Sequence, residues 1–180
     1  MTSRRSVPLH EITLDALMAS PSLPASQEPF LAAAVADERL YDNAWPKNPL
    51  KAMLNFARKR DMLSKATPGP VDGYLMATAV NGAGDAMVAV FDAATGELAG
   101  GVEGKNIIVR DGHQKRGIGT EMVIKAFEIG LWHPETMNES NYLSVAGRQL
   151  RRSAHRTAII RALVAGLDVS AGVLEDYPDL

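Results

Sequence analysis

The spacing of apolar residues along this chain switches between the period of a helix and that of a strand, and each switch marks an element. Residues 48–63 place Leu50, Met53, Leu54 and Ala57 three and four apart, one face of a helix, with Asn48 suited to the cap and Pro49 to the first turn. Thr67-Pro68-Gly69-Pro70 breaks that pattern. Residues 74–80 and 87–91 then read as strands, joined by the turn Asn81-Gly82-Ala83-Gly84-Asp85, and Ala93-Ala94-Thr95-Gly96 makes the next turn. Ile107, Ile108 and Val109 form a further β-branched strand, after which helical spacing returns over residues 120–131 through Met122, Val123, Ala126, Phe127 and Gly130. Residues 28–40 have helical composition, 41–46 a turn with an aromatic pair, and Leu143-Ser144-Val145 the look of a strand. Residues 148–165 predict a helix carrying Arg148, Arg151, Arg152, Arg156 and Arg161 among Ala158, Ile159, Ala162 and Leu163. Helices, then an antiparallel meander, then a strand feeding a helix, is an α+β order.

Pro8, Pro21, Pro24 and several serines predict that residues 1–25 are a mobile arm, with at most a short helix over 9–18. Residues 26–180 are then one domain, with a helical tail from about residue 148. The 46% hydrophobic content can supply a core for it. A net charge of −2 argues against a wholly basic nucleic-acid binder, and the absence of cysteine removes disulfides, thiolate nucleophiles and cysteine zinc sites. The four histidines, at 10, 113, 133 and 155, form no His-x-x-x-His pair, so no metal site is expected. No apolar run approaches a membrane span and no signal core follows Met1, so the expected location is cytoplasmic, with no membrane partner.

The candidate chemistry sits at the joint between the strand 107–109 and the helix that follows. Gln114-Lys115-Arg116-Gly117-Ile118-Gly119-Thr120 opens that helix, where the first backbone N–H groups lack intrahelical partners and the helix dipole adds positive potential. Gly117 and Gly119 remove Cβ atoms from the path of an approaching anion, and a pyrophosphate suits such a place. Neither Gly-x-x-x-x-Gly-Lys-Ser/Thr nor Gly-x-Gly-x-x-Gly is present.

Gln-Lys-Arg-Gly-Ile-Gly, five residues beyond a strand valine, resembles the acetyl-coenzyme A loop Gln/Arg-x-x-Gly-x-Gly/Ala of the GCN5-related N-acetyltransferases. The resemblance spans residues 87–131 and takes in Gly-Glu-Leu-Ala-Gly-Gly at 96–101, similar to the turn and strand before that family's cofactor strand. It implies an α/β sandwich with a mixed, mostly antiparallel sheet flanked by helices. It also implies acetyl-coenzyme A as cosubstrate and an amine acceptor that attacks directly in a ternary complex. Ile107, Ile108 and Val109 would form the splayed strand that pairs with the pantetheine arm, and Gln114 to Thr120 would hold the pyrophosphate. A glutamate with the spacing of Glu103 to the loop acts as base in histone-acetylating members, and an unbroken strand would put Glu103 on the face of Val109. Glycines at 100, 101 and 104 allow instead a tight turn at Glu103-Gly104-Lys105, leaving Glu103 solvated. The family's acid is a tyrosine, for which Tyr142 is the candidate, although the family's Asn-x-x-Ala segment is missing from 145–167.

His113 reads as a solvated loop residue with phosphate contact as the alternative, and the arginines of 148–165 as a solvated basic face with an anionic partner as the alternative. Residues 154–180 are weakly similar to tails of polyvalent phage and mobile-element proteins. Two further functions stay open: a degenerate acetyltransferase fold used as a binding module of a mobile element, and a nucleic-acid binder acting through the basic loop and arginine helix.

Overall fold

The computed structural model describes residues 6–22, 49–80, 85–134 and 144–180. The expected helix at 28–40, the turn at 41–46, the cap Asn48, most of the turn at 81–85 and the candidate acid Tyr142 lie outside the described residues. Two compact units divide the chain: Pro24–Met122, and Met1–Leu23 together with Val123–Leu180. The sequence reading had a boundary near residue 25 and one domain after it; contacts group the first twenty or so residues with the C-terminal helices.

The first unit is α+β. Five strands, β1 (Thr67–Pro68), β2 (Tyr74–Val80), β3 (Ala86–Asp92), β4 (Leu98–Glu103) and β5 (Asn106–Val109), pair in chain order, every neighbour antiparallel. Among the described residues the sheet is therefore an antiparallel meander, without the parallel component of the mixed sheet expected. Alternation sorts its two faces. Met87, Ala89 and Phe91 of β3 point one way, with Ala77, Leu98 and Ile108, onto Leu50, Met53, Ala57 and Met62. Those partners come from α2 (Pro49–Lys59), whose buried positions follow the expected periodicity, and from Met62, three residues beyond it. The helix stops short of Leu63 because Asp61 turns left-handed, at φ 48°, and the Met62 N–H returns to the Ala57 carbonyl at 3.0 Å. Val88, Val90 and Val102 fill the opposite face. There the beginning of α3 (Ile118–Glu128) approaches, since a Cβ built on Gly100 would lie 3.1 Å from Met122 Cε.

The second unit is helical. A short α1 (Leu14–Met18), preceded by a single 3-10 turn at Leu9–Glu11, meets α4 (Val145–Val164), and α5 (Ala171–Leu174) follows α4 in the chain. α1 falls within the short helix allowed over 9–18, and Leu9, Ile12, Leu14 and Leu17 are all buried rather than standing on a free arm. Hydrogen bonds explain the order. His155, fully buried, must donate Nε2–H to the Ile12 carbonyl at 2.7 Å, because a carbonyl only accepts, and its Nδ1 meets the Tyr177 hydroxyl at 3.0 Å. The Leu14 N–H donates to Asp176 Oδ2 at 3.0 Å. Ser144 is not in a strand as 143–145 suggested: its hydroxyl accepts from the Gly147 N–H at 2.9 Å and caps α4. Gly166, at φ 69°, ends that helix, with the Leu167 N–H bound to the Ala162 carbonyl at 2.9 Å.

Candidate functional site

The β4–β5 hairpin decides what the joint can present. Gly104, at φ 54°, and Lys105 close it, and pairing runs Glu103 with Asn106, Val102 with Ile107, Gly101 with Ile108 and Gly100 with Val109. The Arg110 N–H then donates to the Ala99 carbonyl at 2.9 Å. Hydrogen-bonded positions alternate in an antiparallel ladder, so Asn106, Ile108 and Arg110 face β4 and the backbone groups of Ile107 and Val109 face the other edge. Among the described residues no strand covers that edge. Gln114 reaches back to it, its Nε2 lying 3.3 Å from the Val109 carbonyl.

The chain then crosses from β5 to α3 through residues 110–117. Gly112 (φ 79°), Lys115 (φ 59°) and Gly117 (φ 87°) are left-handed, so the loop turns sharply three times before the helix. Gly117 is needed for its backbone angle rather than for room inside the protein, because a Cβ there would meet only Val71 Cγ2, at an ordinary 3.7 Å. Ile118 and Gly119 are buried in the first turn, whereas Gln114, Lys115, Arg116 and Gly117 are exposed and Thr120 is half-buried. The helical ladder starts where the Glu121 N–H meets the Gly117 carbonyl at 3.2 Å. Glu121, an acid of the first turn, is itself buried.

His113 is not simply solvated. Its Nδ1 lies 3.1 Å from the hydroxyl of buried Tyr74, with the rings edge to face at 5.8 Å, which pins the middle of the loop to β2. An isolated histidine in a polar loop gives no hint of a partner 39 positions away.

Glu103 is placed by the hairpin. The strand breaks in a tight turn at Gly104-Lys105, the alternative to an unbroken strand, so Glu103 shares a face with Met87, Gly101 and Ile108, opposite to that of Val109. The side chain is half-buried, and burial, then the nearby Asp85 charge, pushes its carboxyl above the ordinary glutamate value. A raised carboxyl suits a proton carrier, but it lies on the face of the β4–β5 hairpin opposite to that of Val109.

The arginines of α4 serve the second unit itself. Arg156 forks onto Asp179 at 2.9 and 2.7 Å, Arg148 reaches the Ser20 carbonyl at 3.0 Å and Arg151 the Leu17 carbonyl at 2.9 Å. The solvated basic face expected of this helix is thus mostly committed to neighbouring chain. Helical spacing carried the signal: Arg148, Arg151 and His155 continue the buried stripe of Ala158, Ile159 and Ala162. Among the described residues no group of three or more histidine, aspartate or glutamate side chains could hold a metal ion, and no helix is long and apolar enough to cross a membrane. Comparison with protein-family models, curated proteins and solved structures finds no match.

Proposed function

We propose that this chain binds acetyl-coenzyme A at the β5–α3 joint and transfers the acetyl group to an amine. The observation that carries the reading is the outward row of backbone groups on Ile107 and Val109, which leads through a left-handed loop into the start of α3. Pantetheine carries two amides and can pair with such a row as an added strand, needing little from side chains. The pyrophosphate would then meet the exposed Lys115 and Arg116 and the positive end of the helix dipole. In transfer the amine nitrogen attacks the thioester carbonyl, the carbon–sulfur bond breaks, and the amine proton leaves as the thiolate is protonated.

Lys115 gives a clean test because its left-handed backbone favours glycine. Lys115→Gly removes the charge while relieving the backbone, and should weaken coenzyme A binding about 10- to 150-fold, the range of one charge-assisted hydrogen bond. Calorimetric titration of wild type with coenzyme A and acetyl-coenzyme A comes first. No heat of binding from either would end the reading.

The placement of Glu103 on the face opposite to that of Val109 favours a second reading, a module that binds coenzyme A without catalysing transfer. Thioester turnover with a panel of amines separates the two. If the enzyme reading holds, solvent or another group takes the amine proton, and Glu103→Gln should keep turnover within about threefold; a loss of about a hundredfold would restore Glu103 as the base.

A further inference from the structure

Arg148 and Arg151 stand one turn apart on α4, and every group they touch is neutral. Arg151, only 5% exposed, donates from Nη1 to the Leu17 carbonyl at 2.9 Å and to Ser20 Oγ at 3.2 Å, with its guanidinium 5.8 Å from the centre of the Trp132 ring. Arg148 donates to the Met18 carbonyl at 3.5 Å, the Ser20 carbonyl at 3.0 Å and Ser22 Oγ at 2.8 Å. Neither has a carboxylate partner among the described residues. Burial, and then the like charge of Arg148, lower the Arg151 pKa to about 10. Arg156, on the same helix, has its aspartate.

Carbonyls at the end of α1 account for one guanidinium here, but not for two. A guanidinium has five N–H groups, and Arg151 spends two of them; its Nε and Nη2 meet no acceptor among the described residues. A buried cation left in that state is costly unless an anion completes it.

We propose that Arg148 and Arg151, with the Ser22 hydroxyl, form a binding site for a tetrahedral oxyanion of the phosphate class. Two guanidinium edges and a hydroxyl offer more donors than the two oxygens of a carboxylate can accept, whereas a phosphate has oxygens for all of them. Every group lies in the helical unit, so the site stands independently of the acetyl-coenzyme A reading.

The test is thermal denaturation of the full chain by circular dichroism, with sodium phosphate replacing sodium chloride at constant ionic strength. A saturable rise in Tm is expected. Calorimetry with inorganic phosphate and with glycerol phosphate identifies the source: binding of both points to a phosphorylated molecule, and binding of inorganic phosphate alone to the free anion. Arg148→Gln, at the more open of the two positions, should cut affinity at least about tenfold, with partial recovery in Arg148→Lys. Lys115→Gly should leave the phosphate effect intact, which separates this site from the β5–α3 joint. Equal Tm values in phosphate and chloride would overturn the proposal, as would an equal rise with acetate or an undiminished one in Arg148→Gln.

Discussion

Gly100 and Gly101 are adjacent in β4, face opposite sides of the sheet, and should respond to the same substitution very differently. A Cβ on Gly100 would stand 2.7 Å from the Ile108 carbonyl oxygen, 3.1 Å from Met122 Cε and 3.4 Å from Val109 Cα. The first and third of these are backbone, so relief requires β5 to move away from β4. A Cβ on Gly101 would instead meet Met87 Cε at 2.9 Å and Met53 Sδ at 3.2 Å, with only the Val88 carbonyl, at 3.3 Å, belonging to the backbone. The ends of two flexible side chains can step aside. Overpacking that displaces backbone costs about 1–3 kcal/mol, and replacing a strand glycine by alanine returns roughly 0.5–1 kcal/mol of conformational entropy. Gly101→Ala should therefore fall within about 1 kcal/mol of wild type. Gly100→Ala should lose about 2 kcal/mol or more, since the displaced strand also loosens its ladder. Urea denaturation followed by far-ultraviolet circular dichroism measures both. The reasoning fails if Gly100→Ala is no less stable than Gly101→Ala. Because Gly100 pairs with Val109, its substitution should also weaken the coenzyme A binding proposed for the β5–α3 joint.

Further expectations concern pH. Burial holds the His155 imidazole below the ordinary histidine pKa of 6.5, against the opposing effects of the Ile12 hydrogen bond and of Asp176. The folded state then binds fewer protons than the unfolded one, so the stability this histidine contributes is present above pH 6.5 and is lost as pH falls through its folded pKa. The Tm of wild type should drop on acidification in that window and His155→Gln should flatten the drop; parallel curves would show that other groups cause it. Glu103 has the opposite sign. Its carboxyl is raised from 4.5, so its favourable contribution is present below pH 4.5 and is lost as pH rises through the folded pKa. Glu103→Gln should consequently be more stable than wild type near neutrality and equal to it in acid, and a variant less stable at neutral pH would refute the burial argument.

What could be read from the sequence was whatever depends on local spacing. The apolar steps at Leu50, Met53 and Ala57 place α2, the β-branched run at Ile107 to Val109 places β5, and the 3.6-residue spacing around Met122 and Phe127 places α3. Elements that depend on distant partners were not legible. The prolines near Leu9 and Leu17 suggest an arm, and what orders this stretch is a histidine, two arginines and an aspartate far along the chain. The candidate loop was legible as a strand–loop–helix joint, but one residue pair, Gly104-Lys105, reverses the chain and sends Glu103 to the other face. Parity arguments survive only as long as a strand is continuous. Nor did any local pattern distinguish Arg151, which is buried, from exposed Arg152 beside it, except its place on the helical wheel.

The contacts from His155 to Ile12 and from Asp176 to Leu14 span 143 and 162 positions. During synthesis, residues 9–18 leave the ribosome long before the groups that hold them exist. Their apolar side chains, Leu9, Ile12, Leu14 and Leu17, are made before the groups that bury them. Loop closure over such a length is also a slow step in a refolding reaction, since its entropy is lost before the buried hydrogen bonds form. The β-meander is built of neighbours in sequence, whereas the helical unit joins segments that lie on either side of it in the chain.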